Sequence, residues 1–230
     1  MARLLVHVEG ETEETFVNEI LSRHLLARGY ERVSARLLGN ARLRARRGGI
    51  RAWSGVRKDI VLHLRQDQRC IATTMVDFYG LPKSGDRAWP GRATATSLAV
   101  AEKASSVEEA LLNDISSEMG AGFDPSRFVP FVVMHEFEGL LFSDCAAFAR
   151  GLGRPHIESS LQAIRDQFDT PEEIDDSPIT APSKRVETII RGYEKPLFGN
   201  LAALAVGLDK IREACPHFRD WVSKLEAFGR

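Results

Sequence analysis

The sequence predicts an α/β fold: a Rossmann-like, mostly parallel sheet of about four strands flanked by helices, followed by a helical C-terminal part. Three observations carry that expectation. Short apolar runs at residues 3–8, 32–38 and 69–76 alternate with segments of helical periodicity. The first and third runs lead directly into carboxylates, Glu9 and Asp77. From Ser143 onward the pattern is helical and almost without strand signals.

Taken in order, Arg3 to Val8 is rich in Leu and Val and reads as a buried strand. Gly10 makes a tight turn, and Thr12 is placed to cap a helix reaching about Arg28. That helix puts Phe16, Val17, Ile20, Leu21 and Leu25 on one face and stops at Gly29. Residues 32–38 form a second strand, and Ser54 is placed to cap a helix to about Gln68 through Val56, Ile60, Val61 and Leu64. The third strand, 69–76, ends at Asp77. Strand–helix–strand alternation implies parallel pairing, and ligands of such sheets gather beyond the carboxyl ends of the strands. Glu9 and Asp77 therefore fall at one sheet edge.

A long loop at 79–96 precedes a helix from about Leu98 to Glu118. Phe128 to Met134 reads as a fourth strand, in which Pro130 marks an edge position or a bulge. Helices are then expected at 144–152, 156–168, 184–192, 197–206 and 208–228, the last broken near Pro216. The chain divides into an α/β core over 1–145 and a helical part over 146–230. The second part packs on the first and lends the SPITAPSKR loop, residues 177–185, to the site.

At 230 residues with 43% apolar and 27% charged content, the chain has the composition of a soluble, well-cored protein. Its apolar runs are too short for a membrane helix, and it enters a strand without a signal-peptide pattern, which argues for the cytoplasm and against a membrane partner. The three cysteines are far apart and form no CxxC pair, so a thiolate zinc site is disfavoured and buried thiols are expected. Net charge is −1, yet residues 36–58 carry seven arginines and one lysine with no acid. Within that stretch Arg42, Arg44, Arg46, Arg47 and Arg51 are the expected contacts to a nucleic-acid backbone, DNA or RNA.

The chemistry lies in the acids. Glu9 and Glu13 span a strand end and the first helical turn, so both can face one pocket, although Glu13 also suits the helix dipole. Asp77 closes an otherwise apolar strand, where a lone acid needs a partner or opens a turn before Gly80. Glu138 follows the fourth strand and supplies a further carboxylate; His135, three residues earlier, would share its face if a helix begins there. Glu9, Glu13, Asp77 and Glu138 make an all-oxygen set suited to Mg²⁺ or Mn²⁺. HExxH zinc chemistry is excluded, as are P-loop, GxGxxG and GxSxG motifs. His135 is either a proton-transfer group or a structural histidine. Lys184, at a helix start, either offsets charge on a phosphoryl group or is a solvated helix-end charge.

VEGETEE followed by a strand ending in Asp resembles the Toprim domain of topoisomerases, primases and overcoming-lysogenization-defect (OLD) nucleases. That resemblance implies Mg²⁺ held by Glu9 and Asp77, with Glu13 similar to the second glutamate of the OLD type. More closely, VEGETEETFV, TMVDFYGLP, WPG, HEFEGLLFSD and DDSPITAPSKR resemble domain-of-unknown-function family 4276. This implies a Toprim-like bacterial protein, often encoded beside an AAA or ABC-type ATPase in defence contexts. Tyr79 stands where the Toprim Asp-x-Asp has its second Asp, which removes a ligand unless Glu138 or Asp144 replaces it.

The expected activity is metal-dependent hydrolysis of phosphodiesters, with Glu9, Asp77, His135 and Lys184 as the catalytic set. The rivals are a catalytically weak binding or sensor subunit of an ATPase complex and a small-molecule phosphohydrolase or phosphotransferase. The helical C-terminal third offers a surface for a second copy of the chain or for a partner.

Overall fold

The computed structural model describes residues 1–38, 50–174 and 180–229. Its centre is a parallel sheet in the order β2-β1-β3-β4, made by β1 (Arg3–Val8), β2 (Arg32–Leu37), β3 (Cys70–Asp77) and β4 (Phe128–Val129), with β5 (Val132–Val133) also paired to β3. The two-residue β4 and β5 replace the single fourth strand expected over 128–134. Pro130 explains the break, because it has no N–H to donate to the ladder. The Thr74 hydroxyl compensates by accepting from the Phe131 N–H at 3.0 Å and donating to the Phe131 carbonyl at 2.9 Å.

Alternating side chains of the strands feed two cores. Leu4, Val6 and Val8 of β1 and Ile71 and Met75 of β3 face α1 (Glu11–Phe16), α2 (Ser22–Leu26) and the C-terminal helices. Ala72 and Val76 face α3 (Trp53–Gln66) and α4 (Val100–Met119) on the opposite side. The crossover from β1 to β2 thus covers one face, and those from β2 to β3 and from β3 to β4 cover the other. Strand order reverses between β1 and β3, and that is where open parallel sheets bind ligands.

The expected helix over residues 12–28 is α1 and α2 joined through a π-helical segment, Val17–Leu21. Thr12 is not its cap. Gly10 occupies the cap position, and the Glu13 carboxylate accepts the Gly10 N–H at 3.0 Å. Ser54 is not a cap either, since α3 begins at Trp53 after Ala52.

Beyond β5 come α5 (Glu138–Leu141), α6 (Cys145–Gly151), α7 (Glu158–Arg165), α8 (Pro182–Ile189), α9 (Asn200–Ala214) and α10 (Pro216–Glu226). Gly207, at φ 77°, kinks α9. These helices pack onto the sheet itself: the Trp221 and Phe131 rings stack with centres 4.3 Å apart, and the Trp221 indole N–H donates to the Thr73 hydroxyl at 2.9 Å. All three cysteines are buried free thiols, and no described helix is long and apolar enough to cross a membrane.

Candidate metal centre at the carboxyl edge of the sheet

Parallel register sets Val8 opposite Met75, so Glu9 falls level with Val76, beside Asp77. Glu9 Oε2 accepts the Asp77 N–H at 3.3 Å. Its carboxylate lies over Gly80, where a Cβ would come within 2.8 Å of Oε2 and 3.0 Å of Oε1. The single turn Phe78–Gly80 that follows β3 is therefore shaped around Glu9. Glu13 is held close by through its bond to Gly10, which fixes it at the start of α1.

The third contributor comes from the segment after β5. Asp77 Oδ1 accepts the Phe137 N–H at 3.0 Å, which ties β3 to the start of α5. His135 has φ 64°, a left-handed conformation uncommon for a residue with a side chain. It precedes α5 and does not share a helical face with Glu138, contrary to the spacing expectation. Its buried ring lies against Tyr79, with ring centres 5.3 Å apart. Glu138, only 1% exposed, is the first residue of α5.

Lys195 meets these acids from the C-terminal part. Its ammonium lies 3.1 Å from Glu138 Oε2 and 3.6 Å from Glu136 Oε1. Glu136 Oε2 also accepts the Ser183 N–H at the start of α8, at 2.9 Å. No periodicity or motif singled out Lys195; its only signature is a lysine before Pro196 in the connection between two helices. Gly80 was legible as a turn residue but not as the floor under Glu9.

Burial pushes the Glu9 carboxyl up to about 7, with Glu136 and Glu138 adding to the push against the Asp77 N–H and Lys195. Glu13 is likewise raised to about 7, first by burial and then by Glu9 and Glu138. Burial raises Asp77 well above the carboxylate range, with Glu9 and Glu13 contributing. Glu138 is raised by burial even though Lys195 pulls the other way. Burial opposes the charge on Lys195, but Glu138, Asp77 and Glu136 outweigh it and hold the ammonium above its usual range. Acid thus exceeds base in a desolvated space, the condition a bound cation relieves.

Among the described residues, no three His, Cys, Asp or Glu side chains converge tightly enough to form a finished metal cage. One oxygen each of Glu9, Glu13, Asp77 and Glu138 is engaged by a backbone N–H or by Lys195. In kind the donor set fits a hard divalent cation: hard, anionic oxygens at a strand-end edge, carrying a surplus of negative charge. A Mg²⁺ or Mn²⁺ site of one or two carboxylates completed by water needs no protein cage.

The remaining sequence-derived residues are held in ion pairs of their own or lie outside the described residues. Lys184, in the first turn of α8, is paired with Glu187 at 2.7 Å. Arg51 is paired with Asp59 at 3.0 Å, at the start of α3. Arg42, Arg44, Arg46 and Arg47 lie outside the described residues, as do Asp175 to Ile179, which take in the first three residues of the SPITAPSKR loop.

The family described as Domain of unknown function (DUF4276) matches residues 8–226. The chain belongs to that family. The match takes in each carboxylate above and Lys195, so the site lies wholly within the DUF4276 region. No curated protein matches this DUF4276 member. Two solved structures overlay on it, both of the C-terminal region of the Xanthomonas campestris pv. campestris OLD protein. One, phased with mercury, is 16% identical, covers 97% of each chain and has a TM-score of 0.43. The other, phased with platinum, is 18% identical over 96% of this chain and 94% of that one, with a TM-score of 0.41. Both overlays are loose and neither bears on chemistry.

Proposed function

We propose that this DUF4276 protein is a Toprim-like, metal-dependent nuclease that hydrolyses phosphodiesters of DNA or RNA with Mg²⁺ or Mn²⁺. One observation carries the reading. Glu9 and Asp77, at the ends of two neighbouring parallel strands beside the point where strand order reverses, lie within electrostatic reach of Glu13 at the start of α1 and of Glu138 at the start of α5. Burial raises all four, and among the described residues Lys195 is the cation paired with them, through Glu138.

Glu9, Glu13, Asp77 and Glu138 would hold the cation. When bound, it supplies an activated water and offsets charge on the phosphoryl oxygens. Lys195, 41% exposed, bridges the acids and solvent and can contact a phosphate entering the edge. Lys184 and Arg51 stand on the flanks as backbone contacts once their ion pairs open, with Arg42, Arg44, Arg46 and Arg47 assigned to the same role. His135, beside Tyr79, is the proton-transfer candidate. An AAA or ABC-type ATPase is the proposed partner, and bacterial defence the proposed setting.

One feature favours a second reading, a binding or sensor subunit with little turnover: Tyr79 takes the place of a second aspartate. Plasmid DNA and a structured RNA, incubated with Mn²⁺ or Mg²⁺ with and without the ATPase, separate the two. The nuclease reading expects metal-dependent cleavage that falls at least 100-fold in Glu9→Gln and in Asp77→Asn. Equal behaviour of wild type and both variants in every condition sinks it. Metal binding without cleavage transfers support to the second reading.

A further inference from the structure

Tyr193 carries a hydroxyl that is buried and, among the described residues, has no hydrogen-bond partner. That is a costly condition for a phenol, because phenylalanine would fill the same space without it. The buried Tyr30 shows the ordinary arrangement, its hydroxyl donating to the Leu225 carbonyl at 2.7 Å.

The Tyr193 side chain is firmly placed. Its ring stacks on Phe198, with centres 5.8 Å apart and planes 20° from parallel, and its N–H donates to the Ile190 carbonyl at 3.2 Å. The hydroxyl is set against Gly199, where a Cβ would stand 3.5 Å from it and 3.0 Å from the Thr12 methyl. Gly199 therefore lets Tyr193 close on the first turn of α1, one residue from Glu13. Two residues further along the chain, Lys195 is paired with Glu138 and Glu136. Burial raises the pKa of the phenol, and Glu138, Glu136 and Glu187 add to the effect, so it keeps its proton at neutral pH.

The fold thus holds an un-ionised hydroxyl, able both to give and to take a hydrogen bond, within electrostatic reach of the acids. A hard divalent cation bound through few carboxylates keeps several of its waters, and their hydrogens need acceptors. A phosphoryl group is too large to reach a buried hydroxyl; a coordinated water is not. We propose that the Tyr193 hydroxyl is the hydrogen-bond partner of a water carried by the cation at the acidic edge, which makes it a positioning residue of that centre. Lys195 is unsuited to the role, since an ammonium has no lone pair to offer a water hydrogen. The role rests on the metal reading of the edge and not on cleavage.

Tyr193→Phe removes the hydroxyl alone. In EDTA the full-length variant should melt no lower than the wild type, because no bond within the chain is lost. Its Mn²⁺ affinity, by titration calorimetry, should fall by about 10-fold or more, the usual effect of losing a partner behind a metal's ligands. The solvent-proton relaxivity of the Mn²⁺-saturated protein should change with it, since relaxivity reports how coordinated water is held. Tyr30→Phe is the control: it should lower the melting temperature and leave Mn²⁺ affinity unchanged. A Tyr193→Phe protein that melts lower in EDTA has lost an internal bond, and one that binds Mn²⁺ as the wild type does has no bond to the centre. Either result overturns the role and leaves the metal reading in place. Weaker Mn²⁺ binding at unchanged relaxivity overturns it too, because the hydroxyl then acts on something other than water. A wild type that binds no Mn²⁺ removes the metal centre and this role together. Weaker Mn²⁺ binding with altered relaxivity in the variant, beside a wild type that cleaves nothing, removes the nuclease and keeps the role.

Discussion

A Cβ at Gly80 would lie 2.8 Å from Glu9 Oε2, so one methyl group there decides where that carboxylate can rest. Because the obstructed atoms end a flexible side chain, Gly80→Ala should cost under about 1 kcal/mol of stability. It should nevertheless weaken Mn²⁺ affinity at least 10-fold by displacing Glu9, measurable by titration calorimetry beside an unfolding curve. Unchanged affinity would show that Glu9 does not need its place over Gly80. A second residue-scale case is structural. Thr74→Val leaves the Phe131 N–H and carbonyl without their hydroxyl partner in the interior and should cost about 2 kcal/mol in urea unfolding. Thr74→Ser should recover most of that loss; if it does not, the cost belongs to packing and not to the bridge across Pro130.

Where β1 packs on α3, His7 is fully buried, its Nδ1–H donating to the Thr73 carbonyl at 3.2 Å, with the His63 ring 5.7 Å away. Burial lowers its pKa to about 4, Arg36 and His63 adding to the effect and Asp59 opposing it. The folded state thus refuses a proton that the unfolded chain accepts below about pH 6.5. His7 thus contributes stability that is full above that pH and is lost as pH drops toward 4, about 2 kcal/mol of it between pH 7 and pH 5. Glu9 and Glu13 act with the opposite sign, since their raised carboxyls favour the folded state toward low pH. His7→Leu should remove the histidine's contribution, so that the variant's urea midpoint gains relative to wild type as pH falls from 7 to 5, and an equal slope in wild type and variant would refute the assignment. The same elements show what could be read in advance. Strands β1 and β3, with their terminal acids, were legible because a parallel strand buried on both faces is an apolar run, and a charge at its end stands out. The split of the fourth strand was half legible, since Pro130 announced a defect but the Thr74 bridge depends on a residue 57 positions away. Thr12 and Ser54 were plausible caps by type, yet Gly10 with Glu13 and Ala52 hold those places. Lys195 was not legible as a site residue, because it sits between two helices without a pattern.

At the scale of the whole molecule, the carboxylates bind together parts of the chain that are far apart in sequence. Glu9 follows β1, Asp77 ends β3, Glu138 begins α5 and Lys195 begins the π-helical turn that leads into α9. A cation held among them bridges the sheet and the C-terminal helices, and only the folded chain offers that arrangement. Binding to the native state alone stabilises it by mass action, about 2.7 kcal/mol at a metal concentration 100 times Kd. For a protein of 230 residues that corresponds to a rise in Tm of about 5–10 °C. Mn²⁺ should therefore raise the melting temperature of the wild type in a saturable way. Asp77→Asn removes an anionic oxygen from the centre of the set and should abolish the rise, while the variant alone melts no lower than the wild type because a buried, repelled charge has been lost. Lys83→Ala, at an exposed residue of the loop after β3, should keep the full metal response. A rise of the same size in Asp77→Asn would place the stabilising ion elsewhere on the surface and remove the basis for a metal centre at the sheet edge.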